Sequence, residues 1–316
     1  MGAKTRSAGG FLFFISVLSD GDIPVAARPV RSREQTEETA SIIEGESQMK
    51  KLTALLAVFV LAVGLLAAGC GGGDKKAADG KDPILAKDEL IVGTEPSFAP
   101  FEFPKKNSEE LTGFDIELIQ ALAKDMGYKK ATIKSMGFDA LIPAVNTGNL
   151  DVGMSGFTIT EERKKQVLFS QPYYKAGLGL VVRKENTDVK SVDDLKGKTV
   201  AVQLGTTGAL YAEKLKDKGV TVKTFNTSDL ACMELKNKGA DAVISDKPVL
   251  QYFLAQGGSG YAKMIGTGLT TEDYGIVVSK KHPQLQAALD KSLDNLKKNG
   301  EYDKLYEKWF GEKPAK

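Results

Sequence analysis

Histidine, cysteine and tryptophan are scarce in this sequence of 316 residues, which contains one histidine, two cysteines and one tryptophan. Three cysteine and histidine residues together cannot supply the four ligands of a structural zinc site. Two cysteines also exclude a framework of several disulfides. No motif for a metal, a nucleotide or another cofactor is present, so we expect the protein to work without a cofactor.

An excess of one charge is missing as well. The chain has 43 lysine and arginine residues against 41 aspartate and glutamate residues, for a net charge of +2. Non-specific binding to nucleic acid depends on a strong basic excess, because phosphate contacts provide most of the affinity. We therefore expect no nucleic-acid partner. The length suggests about two domains, and the 42% hydrophobic content is enough for a sizeable core.

One long apolar run, residues 52–68, follows Met49-Lys50-Lys51 and precedes Gly69-Cys70. This order is typical of a secretory signal, which we place at residues 49–69. Its last residues resemble a bacterial lipobox, in which the cysteine, here Cys70, is lipidated and becomes the mature N-terminus. The polar segment up to residue 88 is then a flexible tether. The alternative is a retained transmembrane helix. We expect an extracytoplasmic protein, held at the membrane by its lipid.

Residues 1–48 do not fit ahead of a signal peptide. Their apolar stretch is too short to span a bilayer, and the polar part that follows has no pattern. We interpret this segment as an over-extended reading frame, with Met49 as the true start. Peptides from residues 1–48 in expressed protein would contradict this interpretation.

From Glu89 onward, short apolar runs alternate with amphipathic segments, and the pattern restarts after Val189. This alternation predicts an α/β protein with mostly parallel sheets in two lobes, joined by crossovers at 173–183 and 272–279. Strands are predicted at 90–93, 130–133, 150–154, 173–183, 198–203, 220–224, 240–244 and 274–279. Helices are predicted at 114–126, 138–146, 160–167, 209–216, 229–237, 248–255, 283–298 and 302–310.

Two loops that follow predicted strands could bind an anion. In the first, residues 203–208, glycine permits a tight turn and a helix start offers free N–H groups. An ordinary strand-to-helix loop would look the same. In the second, residues 155–163, Arg163 could clamp a carboxylate through two N–H groups. The alternative is a solvated arginine on the helix surface, beside Lys164 and Lys165.

Two further candidates also follow predicted strands. Phe98 and its aromatic neighbours lie close to Glu95 and could enclose the apolar stem of a ligand, or could simply fill the core. Asp246 could bind a cation, or could cap the helix that follows it. All four candidates lie where strands end, and open α/β sheets place their ligands at the carboxyl ends of strands.

The segment Gly113-Phe114-Asp115-Ile116-Glu117-Leu118 resembles the signature of the family 3 extracellular solute-binding proteins, the amino-acid receptors of ATP-binding-cassette importers. The likeness runs from residue 89 to residue 313 and includes the ending Tyr306-Glu307-Lys308-Trp309-Phe310-Gly311. It implies a two-lobed type II periplasmic binding protein with its ligand in the cleft between the lobes. Lobe 1 would comprise residues 89–175 and 275–316, and lobe 2 residues 176–274.

The resemblance gives the charged candidates roles at the two ends of an amino acid. Arg163 would clamp the α-carboxylate, assisted by the main chain near Thr158 and Thr207. Asp246 would pair with the α-ammonium, together with the carbonyl of Gly156 and with Thr158. The chemistry agrees, because a partly desolvated zwitterion needs one fixed cation and one fixed anion at separated ends.

The resemblance also implies which residues meet the ligand side chain. Phe98 and Phe138 would enclose its stem. Glutamine receptors of the family typically have lysine where Gln203 stands and histidine where Ser245 stands, whereas the acid position is kept as Glu95. An uncompensated carboxylate favours arginine or lysine. Glutamine stays an alternative, since Glu95 and Gln203 can also bind an amide.

The same resemblance predicts partners and motion. We expect a monomer that binds an L-amino acid, closes around hinges near residues 173–177 and 270–274, and delivers the ligand to permease subunits in the membrane. The fold also occurs in dehydratases and in sensors, so an enzyme is the rival class. Glu161, Glu162 and His282 do not form an acid–base pair in the sequence, and we expect a protein that is not an enzyme.

Overall fold

The computed structural model describes residues 82–314. The predicted extension at 1–48, the signal peptide at 49–69, Cys70 and most of the tether lie outside the described residues. Within residues 82–314, none of the helices has both the length and the apolar character needed to cross a membrane.

The described residues form fourteen β-strands and eight α-helices, with four short 3₁₀ helices between them. The strands are β1 (Glu89–Thr94), β2 (Phe103–Pro104), β3 (Leu111–Thr112), β4 (Lys130–Ser135), β5 (Val152–Gly153), β6 (Leu168–Phe169), β7 (Tyr174–Ala176), β8 (Leu178–Arg183), β9 (Thr199–Gln203), β10 (Thr221–Phe225), β11 (Ala242–Asp246), β12 (Ala262–Ile265), β13 (Glu272–Tyr274) and β14 (Val277–Val278). The α-helices are α1 (Phe114–Asp125), α2 (Phe138–Thr147), α3 (Glu161–Lys164), α4 (Thr207–Glu213), α5 (Ser228–Lys236), α6 (Lys247–Ala255), α7 (Pro283–Lys298) and α8 (Glu301–Phe310).

Two five-stranded sheets organise the fold, which confirms the prediction of a two-lobed α/β protein. The first sheet has the order β4-β1-β5-β14-β6, and the second has the order β10-β9-β11-β8-β12. In each sheet three neighbouring strands are parallel, because a helix returns the chain between them. The other two strands add antiparallel pairings.

The prediction of mostly parallel sheets is confirmed for the strand directions, because four of the five strands in each sheet run the same way and one strand runs against them. The reversal occurs at β14 in the first sheet and at β8 in the second. Both strands carry the chain into their sheet from a connection to the other sheet, so they enter in the opposite direction. Continuous apolar residues mark a strand buried on both faces but do not show its direction.

The core of the first lobe is centred on α1. Phe114, Leu118 and Leu122 are fully buried, as their four-residue spacing predicts. The Phe114 ring packs edge-on against Phe310 of α8, with 5.1 Å between ring centroids. On the surface above them, Glu117 accepts hydrogen bonds from Lys308 at 2.6 Å and from the Trp309 indole at 3.1 Å.

The two segments that carry the family resemblance are thus packed against each other. The segment 113–118 begins α1, and the segment 306–311 ends α8, almost 200 positions later in the chain. Burying each large apolar side chain at this contact stabilises the fold by about 1.5–3 kcal/mol.

The second sheet is covered on both faces. Val181, Ala201 and Val243 belong to one buried cluster, whereas Val182 and Val200 belong to the cluster on the opposite face. Adjacent residues of one strand therefore pack into different clusters, as expected for strands that lie between two layers of helices.

Two short strands, β7 and β13, run between the two sheets and pair with each other. Their antiparallel register sets Tyr174 opposite Tyr274 and Ala176 opposite Glu272. The predicted long strand at 173–183 is interrupted at Gly177, between β7 and β8. Gly177 packs closely against the other connection, since an added Cβ would lie 2.0 Å from the Thr270 carbonyl oxygen. The predicted hinges and lobe boundaries fall on this pair of strands and stay predictions.

Other local predictions differ from the structure in instructive ways. The helix expected at 160–167 is the single turn α3, although Thr160 caps it as expected by accepting a hydrogen bond from the Arg163 N–H at 3.2 Å. Val167 and Phe169 are buried, and β6 begins at Leu168 instead. The β2–β3 hairpin was not predicted, because two-residue strands carry too little alternation to be recognised, and the four-residue strand β12 was not predicted either.

Candidate ligand-binding site

All nine predicted ligand-binding residues line one cavity. Each comes from a loop or element end, and most follow the carboxyl ends of the parallel strands β1, β5, β9 and β11, as the rule for open α/β sheets predicts. The lining residues are Glu95, Phe98, Phe138, Ser155, Gly156, Thr158, Arg163, Gln203, Thr206, Thr207 and Asp246.

Arg163 is buried at this cavity, with 8% of its surface exposed, so the interpretation as a surface arginine is wrong. Its guanidinium lies over the rings of Phe138 and Phe157, at 5.3 Å and 5.4 Å from the ring centroids. It donates hydrogen bonds to the Thr158 carbonyl at 2.8 Å and to the Gly205 carbonyl at 3.0 Å. A guanidinium has five N–H groups, so three remain for other partners.

Asp246 supplies an acid at the end of β11 and is 5% exposed. It occupies the N-cap position of α6, but its side chain makes no capping hydrogen bond, so the capping interpretation does not account for it. Within residues 82–314 its buried Oδ1 atom makes no hydrogen bond, although the buried hydroxyl of Tyr274, which is also unpaired, lies close to the carboxyl group. Burial, and secondarily the charge of Glu272, raises the pKa of Asp246 to about 8, while Tyr274 and Arg163 oppose the rise. A buried acceptor without a donor is costly, so the carboxyl group is suited to a cation.

Glu95 lies at another part of the cavity, after β1, and is 4% exposed. Its carboxylate accepts a hydrogen bond from the Ser97 hydroxyl at 2.8 Å and one from the Gln203 amide at 3.0 Å. Burial raises the pKa of Glu95, and these two hydrogen bonds oppose the rise. The Gln203 amide oxygen accepts from Ser228 at 2.8 Å, which fixes the amide with its nitrogen toward Glu95.

Aromatic rings form the apolar walls. Phe98 and Phe138 both line the cavity and are both buried, and Phe138 stacks on Phe157 with 4.5 Å between centroids. Gly156 allows the Phe98 ring to come close: its backbone has φ +55°, and an added Cβ would lie 2.5 Å from the ring. Phe98 also belongs to the core of the first lobe, so the core and binding interpretations both hold for it.

Glu272, which the sequence did not single out, connects two of the predicted residues. Its Oε2 atom accepts hydrogen bonds from the Thr158 hydroxyl at 2.7 Å and from the Thr207 hydroxyl at 2.8 Å. Its Oε1 atom accepts one from Thr270 at 2.9 Å. Thr158 follows β5 of the first sheet, and Thr207 begins α4 after β9 of the second. One carboxylate thus joins the two sides of the cavity.

A model of the bacterial extracellular solute-binding proteins, family 3, matches residues 90–312. The chain belongs to this family. Two curated relatives from Bacillus subtilis (strain 168) are each 34% identical to it, the ABC transporter glutamine-binding protein GlnH and the arginine-binding extracellular protein ArtP. Each match covers 84% of this chain and 100% of the relative.

Solved structures of related proteins have the same fold. An ancestral arginine-binding protein bound to arginine is 47% identical, with a TM-score of 0.69 over 71% of this chain and 99% of that one. The ArtJ protein of Geobacillus stearothermophilus, described as arginine-, lysine- and histidine-binding, is 38% identical, with a TM-score of 0.68 over 72% of this chain and 97% of that one.

Behind the cavity of this solute-binding protein lies a pair of fully buried acids, Glu102 and Asp115. Asp115 accepts hydrogen bonds from the Gly156 N–H at 3.1 Å and from the Tyr173 hydroxyl at 2.6 Å. Glu102 accepts one from Ser155 at 2.6 Å. Burial raises the pKa of Asp115 to about 7 and that of Glu102 well above its usual range. The pair holds the Ser155 side chain and the Gly156 backbone, and both residues line the cavity.

The residues named for a possible acid–base role do not line the cavity. Glu161 and Glu162 are exposed and form ion pairs with Lys164 and Lys165. The His282 ring lies 2.9 Å from the carboxylate of Asp82, 200 positions earlier in the chain.

Proposed function

We propose that this solute-binding protein captures an L-amino acid, with a cationic side chain favoured, and delivers it to the membrane permease of an ATP-binding-cassette importer. The observation that carries the proposal is the pair of opposite charges on one small cavity. Two of the five Arg163 N–H groups bond to carbonyl groups, which leaves three for a ligand, and the buried Oδ1 of Asp246 makes no hydrogen bond within residues 82–314. An amino-acid zwitterion has the complementary charges at its two ends.

The ligand would lie with its α-carboxylate on Arg163 and the main chain near Thr158 and Thr207. Its α-ammonium would lie between Asp246, the Gly156 carbonyl and Thr158. Each of these charged hydrogen bonds contributes about 1.5–3 kcal/mol, and burial of both partners makes an incomplete set costly. This requirement favours α-amino acids over ligands that lack either group.

The side-chain preference rests on Glu95. Its carboxylate is buried and, among residues 82–314, receives hydrogen bonds from Ser97 and Gln203 and has no cationic partner. A guanidinium or ammonium group of the ligand would supply that charge, so we propose arginine or lysine. Glutamine is the alternative, because Gln203 and Glu95 together can bind an amide. The relatives support either choice, since an ancestral arginine-binding protein was also solved bound to glutamine.

Calorimetric titration with arginine, lysine, histidine and glutamine tests the proposal. We expect arginine or lysine to bind most tightly, and a clear preference for glutamine would contradict the proposed side chain. The variant Glu95→Gln should weaken arginine binding about 10-fold to 100-fold, the loss of roughly one charge-assisted hydrogen bond, and leave glutamine almost unchanged. Ser97→Ala is the control, because it removes a hydrogen bond at the same carboxylate but keeps the charge.

We further propose a binding protein that catalyses no reaction. A precursor of a cyclohexadienyl dehydratase, 41% identical to this chain, is itself described as an amino acid-binding protein. Incubation with an amino acid and analysis of the products by mass spectrometry tests this proposal. The amino acid should be recovered unchanged, and its conversion would favour an enzyme.

The proposed location depends on Cys70, with residues 49–69 removed as a signal peptide. We propose a monomer that is anchored by a lipid on Cys70 and presents its binding domain outside the cytoplasm. Mass spectrometry of protein purified from membranes should find an acylated N-terminal Cys70, whereas Cys70→Ala should remove the lipid. An unmodified cysteine behind an intact apolar segment would support the transmembrane alternative.

A further inference from the structure

The hydroxyl groups of Thr158 and Thr207 share an uncommon arrangement. Both donate to the same oxygen of Glu272, from opposite sides of the cavity, at 2.7 Å and 2.8 Å. Both threonines also line the cavity. The Glu272 carboxylate is fixed in turn, because its other oxygen accepts the Thr270 hydroxyl at 2.9 Å and β13 pairs with β7.

A threonine hydroxyl has one proton and two acceptor lone pairs. When the proton is donated to Glu272, only lone pairs remain for the cavity. Thr158 and Thr207 can then accept a hydrogen bond from a ligand but cannot donate one. Their side chains therefore suit an ammonium group and do not suit a carboxylate.

We propose that Glu272 is a positioning residue that fixes both hydroxyls as acceptors for the α-ammonium of the ligand and so makes recognition of that group strict. This inference rests on the proposed function and deepens it. The negative charge of Glu272 acts on both Asp246 and Arg163, so the charge by itself does not distinguish the two ends of the ligand, whereas the fixed threonine hydroxyls do.

Substitutions at Glu272 have different consequences for the two hydroxyls. In Glu272→Ala both hydroxyl groups lose their acceptor and are free to donate toward the cavity. In Glu272→Gln the amide oxygen can still accept from both threonines, while the amide nitrogen can donate to the Thr270 hydroxyl oxygen. Asp273→Asn is the control, because it removes one carboxylate at the neighbouring position of β13, whose side chain makes no hydrogen bond or ion pair within residues 82–314.

The decisive measurement compares two ligands by calorimetry: L-arginine and 5-guanidinopentanoate, which has the same carboxylate and guanidinium but lacks the α-ammonium. The dissociation constant of 5-guanidinopentanoate divided by that of L-arginine reports recognition of the ammonium group alone. A general loss of cavity closure weakens both ligands and leaves the ratio unchanged.

We expect Glu272→Ala to lower this ratio by roughly 10-fold or more, the equivalent of about one hydrogen bond to a charged group. The ratio should stay within about threefold of wild type in Glu272→Gln and in Asp273→Asn, a change below about 1 kcal/mol. An unchanged ratio in Glu272→Ala, with both ligands weakened equally, would overturn the proposal and assign Glu272 a purely structural role. Wild-type protein that binds neither ligand, or binds both equally, would instead contradict the proposed function.

A second variant keeps the test valid if Glu272→Ala does not fold. Thr207→Val removes one hydroxyl at nearly constant shape and leaves Glu272 bonded to Thr158. It should lower the same ratio, whereas Thr207→Ser should preserve it. Equal ratios in the valine and serine variants would also overturn the proposal.

Discussion

Replacement of Arg163 is the most direct test of the proposed carboxylate site. The guanidinium donates two hydrogen bonds to the carbonyls of Thr158 and Gly205 and keeps three N–H groups for other partners. Two of these on a ligand carboxylate contribute about 1.5–3 kcal/mol each. Arg163→Met should therefore weaken arginine binding by about 3–6 kcal/mol, or roughly 10²-fold to 10⁴-fold.

Arg163→Lys separates charge from geometry. Lysine keeps the positive charge but not the planar fork, and it cannot reach both carbonyls and a carboxylate in the same arrangement. We expect its dissociation constant to lie between those of the wild type and Arg163→Met. Calorimetry gives the affinity, and thermal unfolding of each variant shows whether the domain is still folded. A folded Arg163→Met protein with an affinity within about threefold of wild type would refute the assignment of the α-carboxylate to this residue.

Three further predictions concern protons and a tight contact. Asp246 has a pKa of about 8 and must ionise to pair with an ammonium, so arginine affinity should rise from pH 6 to pH 8 with release of a proton. Calorimetry in buffers of different ionisation heat measures both the affinity and the proton release. A flat pH profile would count against the role of Asp246. The pKa of Asp115 is about 7 in the folded protein and near 3.8 in the unfolded chain, so the free energy of unfolding should fall as the pH rises between these values. Chemical denaturation should show a smaller fall in Asp115→Asn than in the wild type. An identical fall would contradict the prediction. Gly156→Ala should cost about 1–2 kcal/mol of stability because of its positive φ, and it should also weaken binding because the new methyl group meets the Phe98 ring. Gly148→Ala is the control, since Gly148 has φ +81° and open space around it, so this variant should lose stability but keep its ligand affinity. Equal affinities in the two variants would disprove the ring contact.

Much of the site could be predicted because its charged and polar side chains lie where predicted strands end. Glu95, Gln203 and Asp246 each lie at or just after the end of a strand whose apolar residues are plain in the sequence. Gln203 and Asp246 end parallel strands of one sheet, so they meet at its edge although they are 43 positions apart in the chain, whereas Glu95 follows a strand of the other sheet and its place beside them came from the family resemblance. The assignment of Arg163 needed the family resemblance as well, because its lysine neighbours made a surface position equally reasonable.

Glu272 could not be predicted from the sequence for a physical reason. It contacts Thr158 across 114 positions and Thr207 across 65, and β13 is only three residues long. The burial of Asp115 is similar, since the family segment identifies the residue but not the acid beside it. Side-chain contacts between residues so far apart in the chain depend on tertiary packing, and the periodicity of a single helix or strand does not predict them.

The pair of strands β7 and β13 has a consequence for how the protein can move. β7 leads into β8, and β13 leads into β14. Both β8 and β14 are interior strands, bonded on each side to a neighbour of their own sheet. A rotation at the β7–β13 pair would therefore reach the middle of each sheet directly, and all five strands would turn with it. If the predicted hinges lie at this pair, the bending segments are joined by only one or two residues to interior strands of the sheets, so the stiffness of the sheets would determine how accurately the two walls of the cavity meet.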